Sequence, residues 1–505
     1  MVSLVVAVHS TFAQRADSVR VSLETGFTIA NQDYLPQWIV ANRFGKLEDQ
    51  SPNGYLLVGI HSPYLNKNNW DFAWGVDLLA NSELSESRIH QGYAKVKYKM
   101  IELSAGWMER TVGVYRPELS TGSWGISRNA RPLPSIIVGI PEYTPVPFTR
   151  GFLEFKGHIG HSWLEEDRFI TSPWMHEKSL YLQGKGKSFP MKVYAGIIHF
   201  AQWAGTLPNG RDLDGELVDL WRVATGQNSR TPAGGGDFVN ALGSHIGSID
   251  FGFELPLTQG TLYFYHQDPF EDKLGLTRYY FYDQISGLSW QPAQGKLVQE
   301  VLYEFTYSKH QGGPGIPDPL PGDDPADLSL NYGYRYGGRD DYYNNFLYES
   351  GWTFHGRSMG SPLFLTAQRG TQIGVDVPSY RGEAFISNRI TTHHLALKGT
   401  LQQSAYRILT TYTQHSGTYA GLNGGRFNWG SREPDFDHES YFFFEPRHQF
   451  NLLVELNRSF LPNRQLHGTS AIAFDFGNLY QAFGLFLKLR WDLQPFANSA
   501  SKDQP

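Results

Sequence analysis

Apolar and polar residues alternate along much of this chain with a period of two. The clearest run lies near the C-terminus, where the apolar positions are Phe483, Leu485, Leu487, Leu489, Trp491 and Leu493. The positions between them include Gly484, Lys488, Arg490 and Asp492. Similar runs recur at 249–255, 301–307, 450–456 and 472–476. Because successive side chains of a β-strand point to opposite faces, this pattern predicts half-buried antiparallel strands and an all-β fold.

The length of these segments places them in a membrane. They run about ten residues, the span of a tilted strand across hydrocarbon, whereas strands of soluble proteins average about five or six. Aromatic residues stand at segment ends, as with Trp491 and with Tyr441 to Phe444, which is typical of interfacial girdles. About eighteen candidate strands are present, an even number as in bacterial barrels. We therefore predict a transmembrane antiparallel outer-membrane β-barrel; a soluble all-β multidomain protein is the alternative.

Three segments break this rhythm. Residues 112–150 contain six prolines, too many for one uninterrupted strand, and residues 310–345 are rich in Gly, Pro, Asp and Tyr. Residues 205–245 hold a short helical pattern, and the sequence allows another short helix within Leu35 to Arg43. Barrels place their long loops on the extracellular side, so these segments are predicted to form extracellular loops and lumenal non-strand segments.

The chain divides into three parts. Residues 1–14 (MVSLVVAVHSTFAQ) are predicted to be a signal-peptide remnant, because a short apolar stretch precedes small residues. Residues 15–495 are assigned to one barrel, and residues 496–505 to a polar tail.

Composition supports an envelope protein and excludes some alternatives. Aromatic residues make up 15% of the 505 residues, a fraction that interfacial girdles would explain. The formal net charge is −6 with no Lys/Arg run, so nucleic acid is not a predicted partner. Cysteine is absent, which excludes disulfides and thiolate chemistry.

One segment resembles a known family. Residues 123–134 (SWGISRNARPLP) and 139–148 (GIPEYTPVPF) resemble a signature of the capsule assembly protein Wzi family in the form found in Bacteroidetes-type bacteria. Shorter matches lie at 151–158, 199–203, 387–389 and 393–395, and the resemblance extends from about residue 34 to the end. The signature positions are Trp124, Gly125, Asn129, Pro132, Pro134 and Glu142.

The resemblance implies a fold and a function. Members are outer-membrane barrels of Gram-negative bacteria that act as lectin-like, non-enzymatic anchors and assist capsule assembly. The implied partners are capsular or other surface polysaccharide, outer-membrane lipid and, as a further candidate, capsule-export machinery. Enterobacterial members carry an N-terminal helical bundle that plugs the periplasmic end. Here Val19, Val21 and Leu23 already follow a strand pattern, so the sequence leaves open how the lumen is closed.

Two arginines and several aromatic residues are candidates for sugar binding. Arg128 and Arg131 could form bidentate hydrogen bonds with the carboxylates of acidic sugars. Alternatively, they could pair with Asp or Glu inside the lumen and hold a non-strand segment in place. Aromatic rings can stack on sugar faces or merely pack. The aromatic candidates in loops are Trp203, Trp221, Tyr342 and Tyr343, with Tyr332, Tyr334 and Tyr336 beside them.

No catalytic, metal or cofactor site is predicted. The acidic run Glu165 to Asp167 fits a solvated turn better than a catalytic carboxylate pair. His158 and His161 are three apart on a strand and so point to opposite faces, and the adjacent His393 and His394 do the same. The aspartates between 323 and 327 lack the spacing of an EF-hand. The remaining rivals are a diffusion porin for small solutes and a barrel enzyme.

Overall fold

A closed 18-stranded antiparallel sheet forms the body of the protein. The computed structural model describes residues 19–65, 69–186, 190–232, 241–271, 282–312, 340–375, 384–418, 446–461 and 465–493. The first strand, β1 (Arg20–Ala30), pairs with both β2 (Asn53–Ser62) and the last strand, β22 (Ala482–Leu493). This pairing closes the sheet, so the predicted outer-membrane barrel of eighteen strands is confirmed.

The remaining strands and helices follow in chain order. The wall continues with β3 (Trp70–Asn81), β4 (Arg88–Tyr98), β5 (Ile101–Trp107), β6 (Pro134–Pro145), β7 (Leu153–Trp163), β8 (Trp174–Lys185), β9 (Lys192–Trp203), β10 (Ser244–Leu257), β11 (Gly260–Phe270), β12 (Gln284–Pro292), β13 (Glu300–Tyr307), β18 (Ile390–Leu401), β19 (Ser404–His415), β20 (Arg447–Ser459) and β21 (Leu466–Gly477). Two hairpins in the loop between β13 and β18 are β14 (Thr353–Phe354) with β15 (Arg357–Ser358), and β16 (Leu365–Thr366) with β17 (Phe385–Ser387). The helices are α1 (Gln37–Val40), α2 (Leu217–Thr225), α3 (Ala367–Gln372) and a 3-10 turn (Leu84–Glu86). No helix of the described residues is long and apolar enough to span a membrane.

The two ends of the barrel differ in their connections. The chain enters β1 and leaves β22 at the same end, where β4–β5, β10–β11 and β18–β19 are joined by two-residue turns. At the opposite end lie the segments 31–52 and 108–133 and the described parts of 204–243 and 308–389. Outer-membrane barrels have short periplasmic turns and long extracellular loops, so this second end is extracellular.

The predicted alternation is confirmed on the wall. On β22, Leu485, Leu487 and Leu489 are exposed on the outer face, whereas Phe486 between them is buried on the lumenal face. The same division separates Phe474 from Asp475 on β21. A soluble protein would not expose an apolar side chain at every second position around a closed sheet, so the outer face is the lipid-facing surface. The soluble multidomain alternative is therefore excluded.

The proline-rich region combines a lumenal segment and a wall strand. Residues 108–133 leave the wall, as predicted, but 134–145 return to it as β6, although the whole of 112–150 was expected to break the strand pattern. Pro134 and Pro145 are the first and last residues of β6, and Pro141 lies where its register against β7 shifts, between Ile140 and Thr144. Proline is tolerated at strand ends and bulges because no ladder hydrogen bond is lost there.

Other predictions concern loops. The helical pattern at 205–245 is confirmed as α2, and the short helix expected within 35–43 is α1. Several predicted features lie outside the described residues: the signal-peptide remnant 1–14, the tail 496–505, the aspartates between 323 and 327, the loop tyrosines between 332 and 336, and the aromatic run Tyr441 to Phe444.

Candidate functional site

Three extracellular segments fold back into the barrel and pack against its lumenal wall. We call 31–52, 108–133 and 340–375 together the plug. Trp38, Trp124 and Phe364 of the plug belong to one buried cluster with lumen-facing wall residues such as Phe200 and Leu453. The plug is therefore a core inside the barrel, built from its own extracellular loops.

Acidic side chains of the lumenal wall hold the plug in place. Glu304 on β13 accepts hydrogen bonds from Ser120 Oγ at 2.6 Å and from the backbone N–H of Thr121 at 2.9 Å. Arg116 Nε donates to Glu300 at 2.6 Å. Two further pairs act in the same way, namely Arg110 with Glu177 and Arg43 with Glu455. Because these carboxylates are buried, each needs such partners to offset the loss of water.

The signature segment lies at the centre of the plug. Trp124 is fully buried, its backbone N–H donates to Gln267 Oε1 at 3.1 Å, and its ring lies edge-on to that of Tyr342 with 4.8 Å between centroids. A Cβ at Gly125 would collide with the ring of Phe200, and Trp352 Nε1 donates to the Gly125 carbonyl at 2.7 Å. These signature positions therefore join 108–133 to 340–375 and to the wall.

Two more signature residues have clear places. Asn129 Nδ2 donates to the carbonyl of Ser358 at 3.0 Å, which joins the same two plug segments. Glu142 is exposed near the periplasmic end of β6, far along the strand from the plug.

Above the plug, a pocket opens at the extracellular face. We call it the mouth pocket; its volume is about 870 Å³. Its charged and aromatic lining residues are Glu48, Asp49, Glu83, Glu86, Arg131, Glu165, Glu166, Asp167, Arg357, Trp107, Trp163, Phe354 and His355. The pocket lining therefore contains many more carboxylates than guanidinium groups. Burial and the neighbouring Arg131 hold the pKa of His355 below its ordinary value, so this side chain adds no positive charge at neutral pH.

Ion pairs connect the loops at the base of the mouth pocket. Arg357 lies 3.1 Å from Asp49 and 3.8 Å from Glu48, and Arg88 lies 3.4 Å from Glu48. Arg131 donates to Glu86. No ion pair joins Glu83, Glu166 or Asp167 to a cation within the part of the chain that the structure describes. Those three carboxylates are available to a ligand.

The structure separates the two arginines proposed for sugar binding. Arg131 lines the mouth pocket. Arg128 lies within the plug, where Nη1 donates to the Pro117 carbonyl at 2.9 Å and the guanidinium lies over the Phe44 ring, 5.5 Å from its centroid. The alternative expectation was that both arginines pair with Asp or Glu and hold a non-strand segment in place. Arg131 makes such pairs, with Glu86 and with Glu48 at 4.0 Å, whereas the guanidinium of Arg128 donates to a backbone carbonyl. The acidic wall residues Glu177 and Glu300 pair with Arg110 and Arg116 instead.

The aromatic candidates also lie apart. Tyr342 and Tyr343 are buried in the plug core and offer no open ring face. Trp203 is buried on the outer side of β9, and Trp221 is exposed on α2. Sugar binding by these four residues and by the two arginines stays a prediction. The structure does not bring the six candidates to one surface.

Sequence reasoning missed most of the mouth pocket. Glu48, Asp49 and Arg357 come from loops more than 300 positions apart, and no local pattern marks them. The acidic run Glu165 to Asp167, predicted to be a solvated turn, does lie on a loop, and it also lines the pocket. Within the described ranges, no group of three or more His, Asp or Glu is placed to hold a metal ion.

A closed barrel with lipid-facing apolar side chains and extracellular loops packed in its lumen is an outer-membrane β-barrel protein of the plugged class. A family model described as capsule assembly protein Wzi matches residues 12–312. The chain therefore belongs to the capsule assembly protein Wzi family.

Comparison with solved structures agrees on the fold. The chain is similar to Wzi of Escherichia coli, described as an outer-membrane protein involved in group 1 capsule assembly and a carbohydrate-binding β-barrel, with 12% identity and a TM-score of 0.57 over 98% of this chain and 88% of that one. OpdL of Pseudomonas aeruginosa aligns with 10% identity and a TM-score of 0.46 over 94% of this chain and 98% of that one. No curated protein matches the sequence.

Proposed function

We propose that this protein is a non-enzymatic outer-membrane anchor that binds surface polysaccharide in the mouth pocket and assists capsule assembly. The observation that carries the proposal is the polar mouth pocket, which faces outward above the plug. Family membership supports the link to capsule. A partnership with capsule-export machinery stays a prediction.

The plug argues against the rival porin function. A diffusion channel needs a water-filled lumen, whereas Trp38, Trp124 and Phe364 pack there against wall residues. We expect the purified protein to be nearly silent in planar lipid bilayers. Steady conductance like that of a general porin would favour the porin function instead.

The charge of the mouth pocket determines which sugars it should accept. Glu83, Glu166 and Asp167 can accept charge-assisted hydrogen bonds from sugar hydroxyl or ammonium groups. Arg131 pairs with Glu86 and lies 4.0 Å from Glu48, so its positive charge is already offset by carboxylates of the protein. We therefore infer a preference for neutral or amino sugars over polyuronates, in contrast to the acidic sugars that Arg128 and Arg131 were considered able to bind.

Binding of defined polysaccharides tests this preference. The full chain in detergent is titrated with dextran, chitosan oligosaccharide and alginate in a calorimeter. We expect the double variant Glu166→Gln with Asp167→Asn to lose binding of the first two, while Glu142→Gln, an exposed carboxylate at the other end of the barrel, keeps it. Tighter binding of alginate than of dextran, abolished by Arg131→Ala, would contradict the proposed pocket chemistry.

A deletion strain tests the anchoring role. Without this protein, polysaccharide synthesis and export should continue, but capsule should be released into the medium. Cell-associated capsule is measured in the deletion strain and in strains that carry the Glu166→Gln/Asp167→Asn or the Glu142→Gln protein. Equal cell-associated capsule in the deletion strain and the wild type would refute the anchor function.

A further inference from the structure

Polar side chains occupy lipid-facing positions on one part of the wall. On β8, His176 and Lys178 fall on the same outer face as the exposed Leu180 and Leu182. On β9 and β10, His199 and His245 share the outer face with the exposed Ile197 and Phe251, and their rings are joined by a hydrogen bond of 2.8 Å. Charged and polar residues at such positions are costly when they face hydrocarbon. Another part of the protein must therefore shield these polar side chains from lipid.

The loop between β9 and β10 provides that cover. Its helix α2 packs against the outer side of the wall, where Val223 is buried with Ala201, Trp203 and Leu242. Lys178 Nζ donates to the carbonyl of Ala224 in the last turn of α2. At the C-terminal end of a helix, a cation also interacts favourably with the helix dipole. The helix thus lies outside the barrel, in contrast to the plug segments.

Helix α2 has definite ends and two faces. It begins with a capping box between Glu216 and Asp219 and ends at Gly226, which adopts the left-handed φ of 64° that glycine favours. The inner face carries the fully buried Val223. The opposite face presents Leu217, which is 87% exposed, and Trp221, which is 65% exposed, with Val218 beside them. Trp221 follows Leu217 by four positions and Val218 by three, so the three residues form one apolar stripe.

The stripe continues the lipid-facing band of the wall. On β22 that band begins with Phe483, next to the extracellular end of the strand, whereas on β9 it begins only at Ile197, halfway along. Helix α2 covers the missing upper part of the band on β8 and β9, where Trp174, Ala201 and Trp203 pack with it. An amphipathic helix with Leu and Trp outward is the form in which proteins lie in the boundary between lipid headgroups and acyl chains.

We propose that the face of α2 formed by Leu217, Val218 and Trp221 is inserted into the outer leaflet of the membrane and replaces the wall as the lipid-facing surface over β8 and β9. The occupant is lipid, not polysaccharide, because the stripe is apolar, lies on the outside of the barrel and adjoins the lipid-facing band. Trp221, a candidate for sugar stacking on the sequence alone, is thereby assigned to the membrane. The inference does not depend on the proposed function of the mouth pocket.

Site-directed spin labelling tests the proposal on the full chain. The natural sequence has no cysteine, so Leu217→Cys and Trp221→Cys each provide a single thiol for a nitroxide label. The labelled proteins are reconstituted in liposomes, and accessibility to oxygen, which partitions into lipid, is compared with accessibility to a water-soluble nickel chelate. Leu487→Cys on the wall serves as the lipid control, and Leu84→Cys, in an extracellular turn and 82% exposed, serves as the water control.

We expect both α2 labels to show higher oxygen accessibility and lower accessibility to the nickel chelate than the label at position 84, as the label at position 487 does. Labels that behave as at Leu84 would overturn the proposal, because the stripe would then face water or a hydrated polysaccharide. Protection from both reagents would overturn it as well, because protein would then cover the stripe. Heat-modifiable gel mobility verifies that each variant is folded.

Discussion

Glu304 offers the sharpest test of how the plug is held. This carboxylate on β13 accepts hydrogen bonds from Ser120 Oγ, from both the backbone N–H and Oγ1 of Thr121, and from the Tyr265 hydroxyl. Three of these four bonds join the plug to the wall. Glu304→Ala would remove all of them and leave buried donors without a partner. We expect this variant to release the 108–133 segment more often than the wild type does.

The size of the effect follows from the number of bonds. A hydrogen bond to a charged group contributes about 1.5–3 kcal/mol. The contributions of bonds that share one acceptor are not additive, so we expect loss of the three bonds to the plug to cost about 3–5 kcal/mol of the free energy that holds the plug in place. At about 1.4 kcal/mol per factor of ten, the equilibrium for plug release should shift by roughly two to three orders of magnitude.

Single-channel recording in planar bilayers measures plug release directly, as bursts of conductance in an otherwise silent protein. The matched control is Tyr303→Phe, which changes the neighbouring residue on the lipid-facing side of the same strand and removes one hydrogen bond, to His393. Thermal unfolding by loss of heat-modifiable mobility provides a second measurement. If Glu304→Ala is as silent and as thermostable as Tyr303→Phe, the bonds at Glu304 do not hold the plug.

Two further predictions concern the wall and the acid response. Leu487→Arg should lower the folded fraction, measured by heat-modifiable gel mobility, because arginine on the lipid face costs roughly 2–4 kcal/mol. The lumenal change Lys488→Leu should have a mild effect. Equal folded fractions of the two variants would contradict the strand register. The pKa of Glu109 is lowered to about 2, because Lys46, whose Nζ lies 2.8 Å away, and His90 outweigh the effect of burial. Its folded pKa lies below the ordinary 4.5, so the stabilisation is present above about pH 4.5 and lost as the pH falls toward 2; melting temperatures across this range should fall less for Glu109→Gln than for the wild type.

The barrel could be predicted from the sequence because its determinant is local. Each strand must place apolar side chains toward lipid at every second residue, so a run such as Phe483 to Leu493 reveals both the strand and its outward face. Proline content explains why the segment 112–150 was expected to leave the wall. This expectation was wrong for β6, because a proline at a strand end or at a bulge removes no hydrogen bond between strands. The sequence does not show which prolines occupy such places.

The plug contacts and the mouth pocket could not be predicted in the same way. Ser120 and Glu304 are 184 positions apart, and their contact depends on how the wall register turns Glu304 toward the lumen. Arg128 and Arg131 were recognised as lumenal candidates, but the choice of Arg110 and Arg116 as partners of the wall carboxylates depends on that same three-dimensional register. A single sequence contains no signal for contacts of this range.

The ion pairs at the base of the mouth pocket have a mechanical consequence. Glu48 is within ion-pair distance of Arg88, Arg131 and Arg357, which belong to separate parts of the chain around the rim. Tension applied by a long polymer held in the pocket would therefore not pull on a single hairpin. It would be shared among the strands that flank loops 31–52, 82–87, 108–133 and 340–375, and spread around the circumference of the barrel. A closed wall loaded in this way resists peeling, because no strand has a free edge from which separation could start.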